Sequence, residues 1–174
     1  METAQASFGG KPILRPQALL IMIIFLDAGP LGMLTSPAAT AKNTQIKEWM
    51  DSQIDKGAEI VVPEIADYEV RRGLVLENLS AGLSRLNAFT SIATYIPIDT
   101  ATMRTAADLW AMVRKLRPPQ PTAPDEALDC DAVLAAQAIT TSKGQEQVII
   151  ATDNVGHLSR FETTTVKALK WTDI

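Results

Sequence analysis

The sequence predicts an α/β fold around a central, mostly parallel sheet of five strands. Three observations carry that expectation. The unbroken apolar run Ala18 to Leu26 ends abruptly at Asp27, and continuous rather than alternating hydrophobicity marks a strand whose two faces are both covered by helices. Four further short strand-like segments follow: Glu59 to Val62, Ala93 to Ile98, Val148 to Thr152 and Val166 to Trp171. Segments of helical spacing stand between most of them, and strands alternating with helices are expected to form right-handed crossovers onto one parallel sheet.

Residues 1–17 lack periodicity and contain Gly9, Gly10, Pro12 and Pro16, so they are expected to form a flexible leader before a single domain spanning 18–174. Lys11 and Arg15, the apolar run and Ala39-Thr40-Ala41 imitate a secretory signal with its cleavage site. Asp27, Gly29 and Pro30 stop that run after nine residues, which favours a core strand. The run is also too short to cross a membrane, which takes about 20 apolar residues. Asn43 is placed to cap a helix through Ile46, Trp49, Met50 and Ile54 to Lys56, with Gly57 as its stop. Pro63 suits the first turn of the next helix, which carries Ile65, Tyr68, Glu69, Leu74 and Leu76 and ends near Asn78.

Ser80 is the expected cap of a helix with Leu83, Leu86 and Phe89 on one face. Pro97 marks the third strand as weakly paired or near its end. A helix is expected from Thr100 through Met103, Ala107, Trp110 and Val113 to Leu116, and the prolines at 118, 119, 121 and 124 then break the chain. An alanine-rich helix follows over Leu128 to Thr140, with Asp129 read as its N-cap or first-turn acid. Trp110, Met112 and Val113 suit a core or dimer surface better than a base-stacking platform.

The 174 residues are 47% hydrophobic and 21% charged, a globular composition able to bury roughly two thirds of the unfolded surface. One cysteine, Cys130, cannot form an intrachain bridge, and one histidine, His157, cannot by itself build a zinc site. A reducing, cytoplasmic compartment is expected. The net charge of −4 argues against broad electrostatic adhesion to nucleic acid or anionic membrane. Ser36 and Thr35 have no histidine nearby in sequence, so a serine hydrolase is not expected.

In open parallel sheets the functional crevice lies beyond the carboxyl ends of the strands. Asp27 and Asp153 each follow a strand directly, while Glu64 and Glu69 lie in the first turns of a helix that follows another. Hard oxygen donors without histidine or cysteine partners suit Mg²⁺ or Mn²⁺, ions that can hold a phosphodiester and lower the pKa of an attacking water. Glu64 and Glu69 sit about 140° apart around a helix and cannot share one face well. Asp131 lines up instead with Ala135 and Ala138, a stripe that lets its helix pack close to the sheet edge. Each acid also has a plainer role open to it. Asp27 could cap a helix after Gly29 and Pro30, Glu69 could pair with Arg72, Glu64 could stabilise a helix dipole, and Asp153 with Asn154 could form a turn.

Four segments in order, IIFLDAGPLGML at 23–34, VVPEIADYEVRRGL at 61–74, LDCDAVLAAQAI at 128–139 and VIIATDNVGHLSRF at 148–161, resemble the PIN-domain proteins, the nuclease family that includes the VapC-type toxins. The resemblance implies a three-layer α/β/α sandwich, Mg²⁺- or Mn²⁺-dependent cleavage of RNA, homodimerisation and an antitoxin partner. It places Asp27 as the acid after the first strand, Glu69 in Glu-Val-Arg-Arg-Gly as the second and Asp131 as the third. The fourth position is either Asp153 or, read as Thr152-x-Asn154, Asn154. Glu64, Thr152 and His157 are supporting or substrate-contacting candidates, and Arg71, Arg72, Arg114, Lys115 and Arg117 are candidate phosphate contacts. Two other classes remain beside this one: a PIN-like module that binds RNA or a partner without cutting, and a relative of DNA-directed 5′-nucleases.

Overall fold

The computed structural model describes residues 22–115, 125–142 and 147–174. The expected leader, residues 18–21 of the expected first strand, Leu116, Arg117 and the proline break lie outside these. Five strands, β1 (Met22–Leu26), β2 (Glu59–Pro63), β3 (Thr94–Ile96), β4 (Gln147–Thr152) and β5 (Val166–Lys170), form one sheet in the order β3-β2-β1-β4-β5. All four pairings are parallel. The chain grows from β1 outward to β3 on one side, then returns to lay β4 against the other side of β1. The order therefore reverses between β1 and β4, the place where such sheets open a crevice.

The helices are α1 (Ala28–Thr35), α2 (Ala41–Asp55), α3 (Glu64–Leu76), α4 (Ser80–Ile92), α5 (Thr100–Lys115), α6 (Asp125–Thr141) and α7 (Val155–Leu158). The pleat of the strands divides the core into two layers. Ile23, Phe25, Val61, Val148 and Ile150 face Leu134 and Ala138 of α6. Ile24, Leu26, Ile60, Val62 and Ala151 face Leu31 and Leu34 of α1, Ile46 of α2 and Leu86 of α4. The result is a three-layer α/β/α sandwich, and α5 packs outside α6 through Ala106, Leu128, Ala132, Ala135 and Phe161. The alanine stripe thus serves two surfaces, with Ala138 against the sheet and Ala135 against the α5 layer. Trp110 joins that outer cluster and carries the Arg114 guanidinium over its ring at 5.1 Å.

Several helix starts differ from expectation, because the cap is set by where the backbone enters the helical conformation and not by the side chain alone. Thr40 rather than Asn43 caps α2, its hydroxyl accepting from Asn43 N at 3.2 Å, while Asn43 lies inside the helix and donates to Ala38 O. Leu79 precedes α4, leaving Ser80 as its first residue. Pro63 closes β2 and stands just before α3 instead of opening it. Because α6 already begins at Asp125, Asp129 is an exposed residue of its second turn and not a cap. Gly57, at φ +85°, ends the α2 turn as expected.

Candidate carboxylate site

Asp27 leaves the carboxyl end of β1 and caps α1, its Oδ1 accepting from Ala28 N at 2.7 Å. The capping role and the edge position are therefore both realised by one side chain. The second oxygen, Oδ2, accepts from the Thr152 hydroxyl at 2.7 Å across the β1–β4 seam. Thr152 is fully buried, and its Oγ1 in turn accepts from Asn154 N at 2.8 Å. A relay from the Asn154 backbone through Thr152 thus aims the Asp27 carboxylate. Asn154 contributes a backbone amide to this relay, and its side chain is exposed.

Replacing Thr152 with valine keeps the shape but leaves an Asp27 oxygen and the Asn154 amide without their partner. Unfolding free energy is expected to fall by about 1–3 kcal/mol. Chemical denaturation checks this, and an unchanged midpoint would dismiss the relay.

Glu69 projects from α3 and Asp131 from α6 toward the same charge. Burial is the main cause that raises the Asp27 carboxyl above its ordinary range, with Asp153 adding to it and the Thr152 and Ala28 bonds pulling back. Burial likewise raises Glu69, followed by the negative charge of Asp27; the Cys130 thiol and Arg72 oppose this, and Asp131 adds to it. Asp131 is raised by burial and then by Asp27, against His157 and Arg160. Its Oδ2 is buried and faces His157 Nδ1 at 3.4 Å. Asp27 is thus the negative centre felt by both of the others, as crowded carboxylates require.

Cys130 is pushed up to about 11, first by burial and then by the Glu69 charge that its thiol faces. Cys130, Arg160, Lys42 and Trp171 escaped the sequence reading, because nothing in spacing along the chain places them beside the acids. Only Cys130, next to Asp131 in sequence, left a signal that could have been followed.

The structure separates the remaining candidates. Glu64, the first residue of α3, turns away and accepts from Ile98 N at 2.5 Å beyond β3. Asp153 is engaged at both oxygens, by Lys42 Nζ and by Trp171 Nε1, each at 3.0 Å. Arg71 is spent on structure: it holds the buried Asp67 through Nε at 3.2 Å and Nη2 at 2.9 Å, and donates from Nη1 to Asn87 at 2.8 Å. Arg72 is exposed, 3.6 Å from Glu69 and stacked over Tyr68. Arg71→Ala is therefore expected to lower unfolding free energy by about 1–3 kcal/mol by taking both guanidinium bonds from Asp67, which keeps the Tyr95 hydroxyl at 3.4 Å, whereas Arg72→Ala leaves it within about 0.5 kcal/mol. Parallel urea titrations check both, and equal effects would contradict the assignment.

Among the described residues no group of three or more histidine, cysteine, aspartate or glutamate side chains is spaced to hold a metal ion. The donor chemistry nonetheless fits a hard cation, since Asp27, Glu69 and Asp131 are all carboxylates.

No family model and no curated protein matches the chain. Its fold does match solved structures. VapBC2 from Rickettsia felis, bound to a DNA fragment from its promoter, superposes with a TM-score of 0.60 at 16% identity, covering 86% of this chain and 99% of that one. VapBC-1 from nontypeable Haemophilus influenzae superposes at 0.61 with 16% identity, covering 87% and 99%. The fold is PIN-like. In this sheet Asp27 directly follows the central strand β1 and Thr152 ends its neighbour β4, so the carboxylates stand near the middle of the carboxyl edge.

Proposed function

We propose that this protein is a divalent-metal-dependent endoribonuclease of PIN type. One observation carries the proposal: Asp27, Glu69 and Asp131, from three separate elements, crowd their negative charge at the switch point of a PIN-like sheet. Such crowding costs stability and persists where a cation or a reaction uses it. Asp27, Glu69 and Asp131 would hold Mg²⁺ or Mn²⁺, with Asn154 or Asp153 as the fourth position. Bound there, the ion supplies a water of lowered pKa and neutralises the phosphodiester.

The chain's own residues do the rest. Thr152 fixes the direction of the Asp27 oxygens, Cys130 holds Glu69 from the α6 side, and His157 faces Asp131. Arg72, exposed beside Glu69 at the site, is the arginine of its pair placed to meet a phosphate. With both Asp153 oxygens engaged, Asn154 becomes the stronger candidate for the fourth position. Single-stranded or looped RNA is the expected substrate, since unstacked bases are what proteins read in RNA.

The similarity to VapBC structures supports a toxin role with an antitoxin as protein partner; a homodimer and a cytoplasmic setting belong to the same proposal. No described helix is long and apolar enough to cross a membrane. The absence of a ready three-ligand cluster among the described residues favours one other reading, a PIN-like module that binds RNA without cutting it. Incubating purified protein with labelled RNA in Mn²⁺ and in EDTA decides between them. Cleavage in Mn²⁺ alone supports the nuclease, binding without cleavage supports the module, and cleavage in EDTA overturns the metal mechanism.

A further inference from the structure

Gln137 is fully buried in α6, in the alanine-rich segment that also carries Asp131. A buried amide needs partners for both its ends, and here they lie on two other elements. Its Oε1 accepts from Ile65 N at 3.2 Å, in the first turn of α3. Its Nε2 donates to Ile96 O at 2.6 Å, at the last residue of β3. Two residues on, Ile98 N donates to Glu64 Oε2, so α3 and the end of β3 are also joined directly. The first-turn amides of a helix have no partner within it, and one of those of α3 is claimed by a side chain of α6.

We infer that Gln137 is a positioning residue, a strap that sets α3 against α6 and so fixes Glu69 relative to Asp131. Glu69 lies one turn beyond Ile65 on α3, and Asp131 lies six residues before Gln137, about 9 Å along α6. The two acids repel, which works to part their helices. Ile65 and Leu134 belong to one apolar cluster that resists separation but has no direction, whereas the two hydrogen bonds of Gln137 fix register. The assignment of a catalytic consequence rests on the proposed nuclease reading; the strap itself does not.

The test uses Gln137→Met, which keeps volume and removes both bonds, and Gln137→Glu. A fully buried glutamate stays protonated toward acid pH, and a protonated carboxyl can accept from Ile65 N and donate to Ile96 O as the amide does. In metal-free protein, the stability coupling between Glu69→Gln and Asp131→Asn is measured by a double-mutant cycle, in wild type and in the Gln137→Met background. The coupling is expected to fall by at least half in that background and to return toward wild type in Gln137→Glu as pH is lowered. Should Gln137→Met not fold, the cycle is run in Gln137→Glu at low and high pH, where the coupling must weaken as the glutamate ionises. A coupling unchanged by the substitution, or by pH in Gln137→Glu, overturns the strap. In the RNA assay kcat is expected to drop about tenfold with KM unchanged, the mark of geometry lost at the reacting centre. A wild type that cleaves no RNA would end the nuclease reading, while the coupling cycle would still decide Gln137.

Discussion

Asp27→Asn is expected to lower RNA cleavage by at least about 100-fold, the scale on which a single preorganised polar group acts in a catalytic site, while the protein stays folded. Asparagine is as good an N-cap as aspartate, so α1 keeps its start. Its amide oxygen can still accept from Ala28 N or from the Thr152 hydroxyl, which Asp27 engages at 2.7 Å each. What disappears is the charge that both Glu69 and Asp131 feel. Single-turnover cleavage of one labelled RNA, beside thermal unfolding of the same preparations, measures both consequences. Near-wild-type cleavage by the folded variant would remove Asp27 from the mechanism.

The second large effect is on stability, and its sign follows from the direction of the shifts. Asp27, Glu69 and Asp131 all hold protons more tightly folded than unfolded. The folded state therefore binds more protons from the ordinary carboxylate range up to the raised values, and stability falls as pH rises through that window. In metal-free protein these three carboxyls are expected to lower the melting temperature progressively as pH rises from the ordinary carboxylate range, about 4, through their raised values. Asp131→Asn removes one repelling charge and is expected to raise Tm most at the high end, by roughly 2–4 °C for each kcal/mol of strain relieved. A divalent cation acts on wild type in the same direction, adding about 2.7 kcal/mol when present at a hundred times its dissociation constant. The same cation should do little for the Asp27→Asn, Asp131→Asn double variant. Melting curves across pH, with and without Mn²⁺, read all of this. A wild type that Mn²⁺ fails to stabilise would contradict the cation-binding role.

Much of the architecture was legible along the chain. Strands β1, β2 and β4 begin or end within a residue or two of their apolar segments, because a strand covered on both faces is largely apolar, while β5 at the sheet edge alternates buried Val166 and Ala168 with exposed Lys167 and Lys170. Pro97 sits just past β3, since it has no amide to give a parallel neighbour. Helix starts were less legible: Thr40 outdoes Asn43 because capping depends on where the backbone turns extended. Asp129 lost its capping role once α6 began four residues earlier, at Asp125, directly after Pro124.

Within the site, the sequence by itself determined the ordered acids at strand ends, and the helical angle between Glu64 and Glu69 already said that one of them must turn away. That much depends on local geometry, which repeats every few residues and is written in spacing. Only the tertiary structure decided which acid turns where. Glu64 is drawn to Ile98, 34 residues on, Asp153 to Lys42, 111 residues back, and Arg71 to Asn87 across the α3–α4 hairpin. The physical reason is that these partners are far apart along the chain, and only the sheet order β3-β2-β1-β4-β5 and the helices packed on it bring them within hydrogen-bond reach.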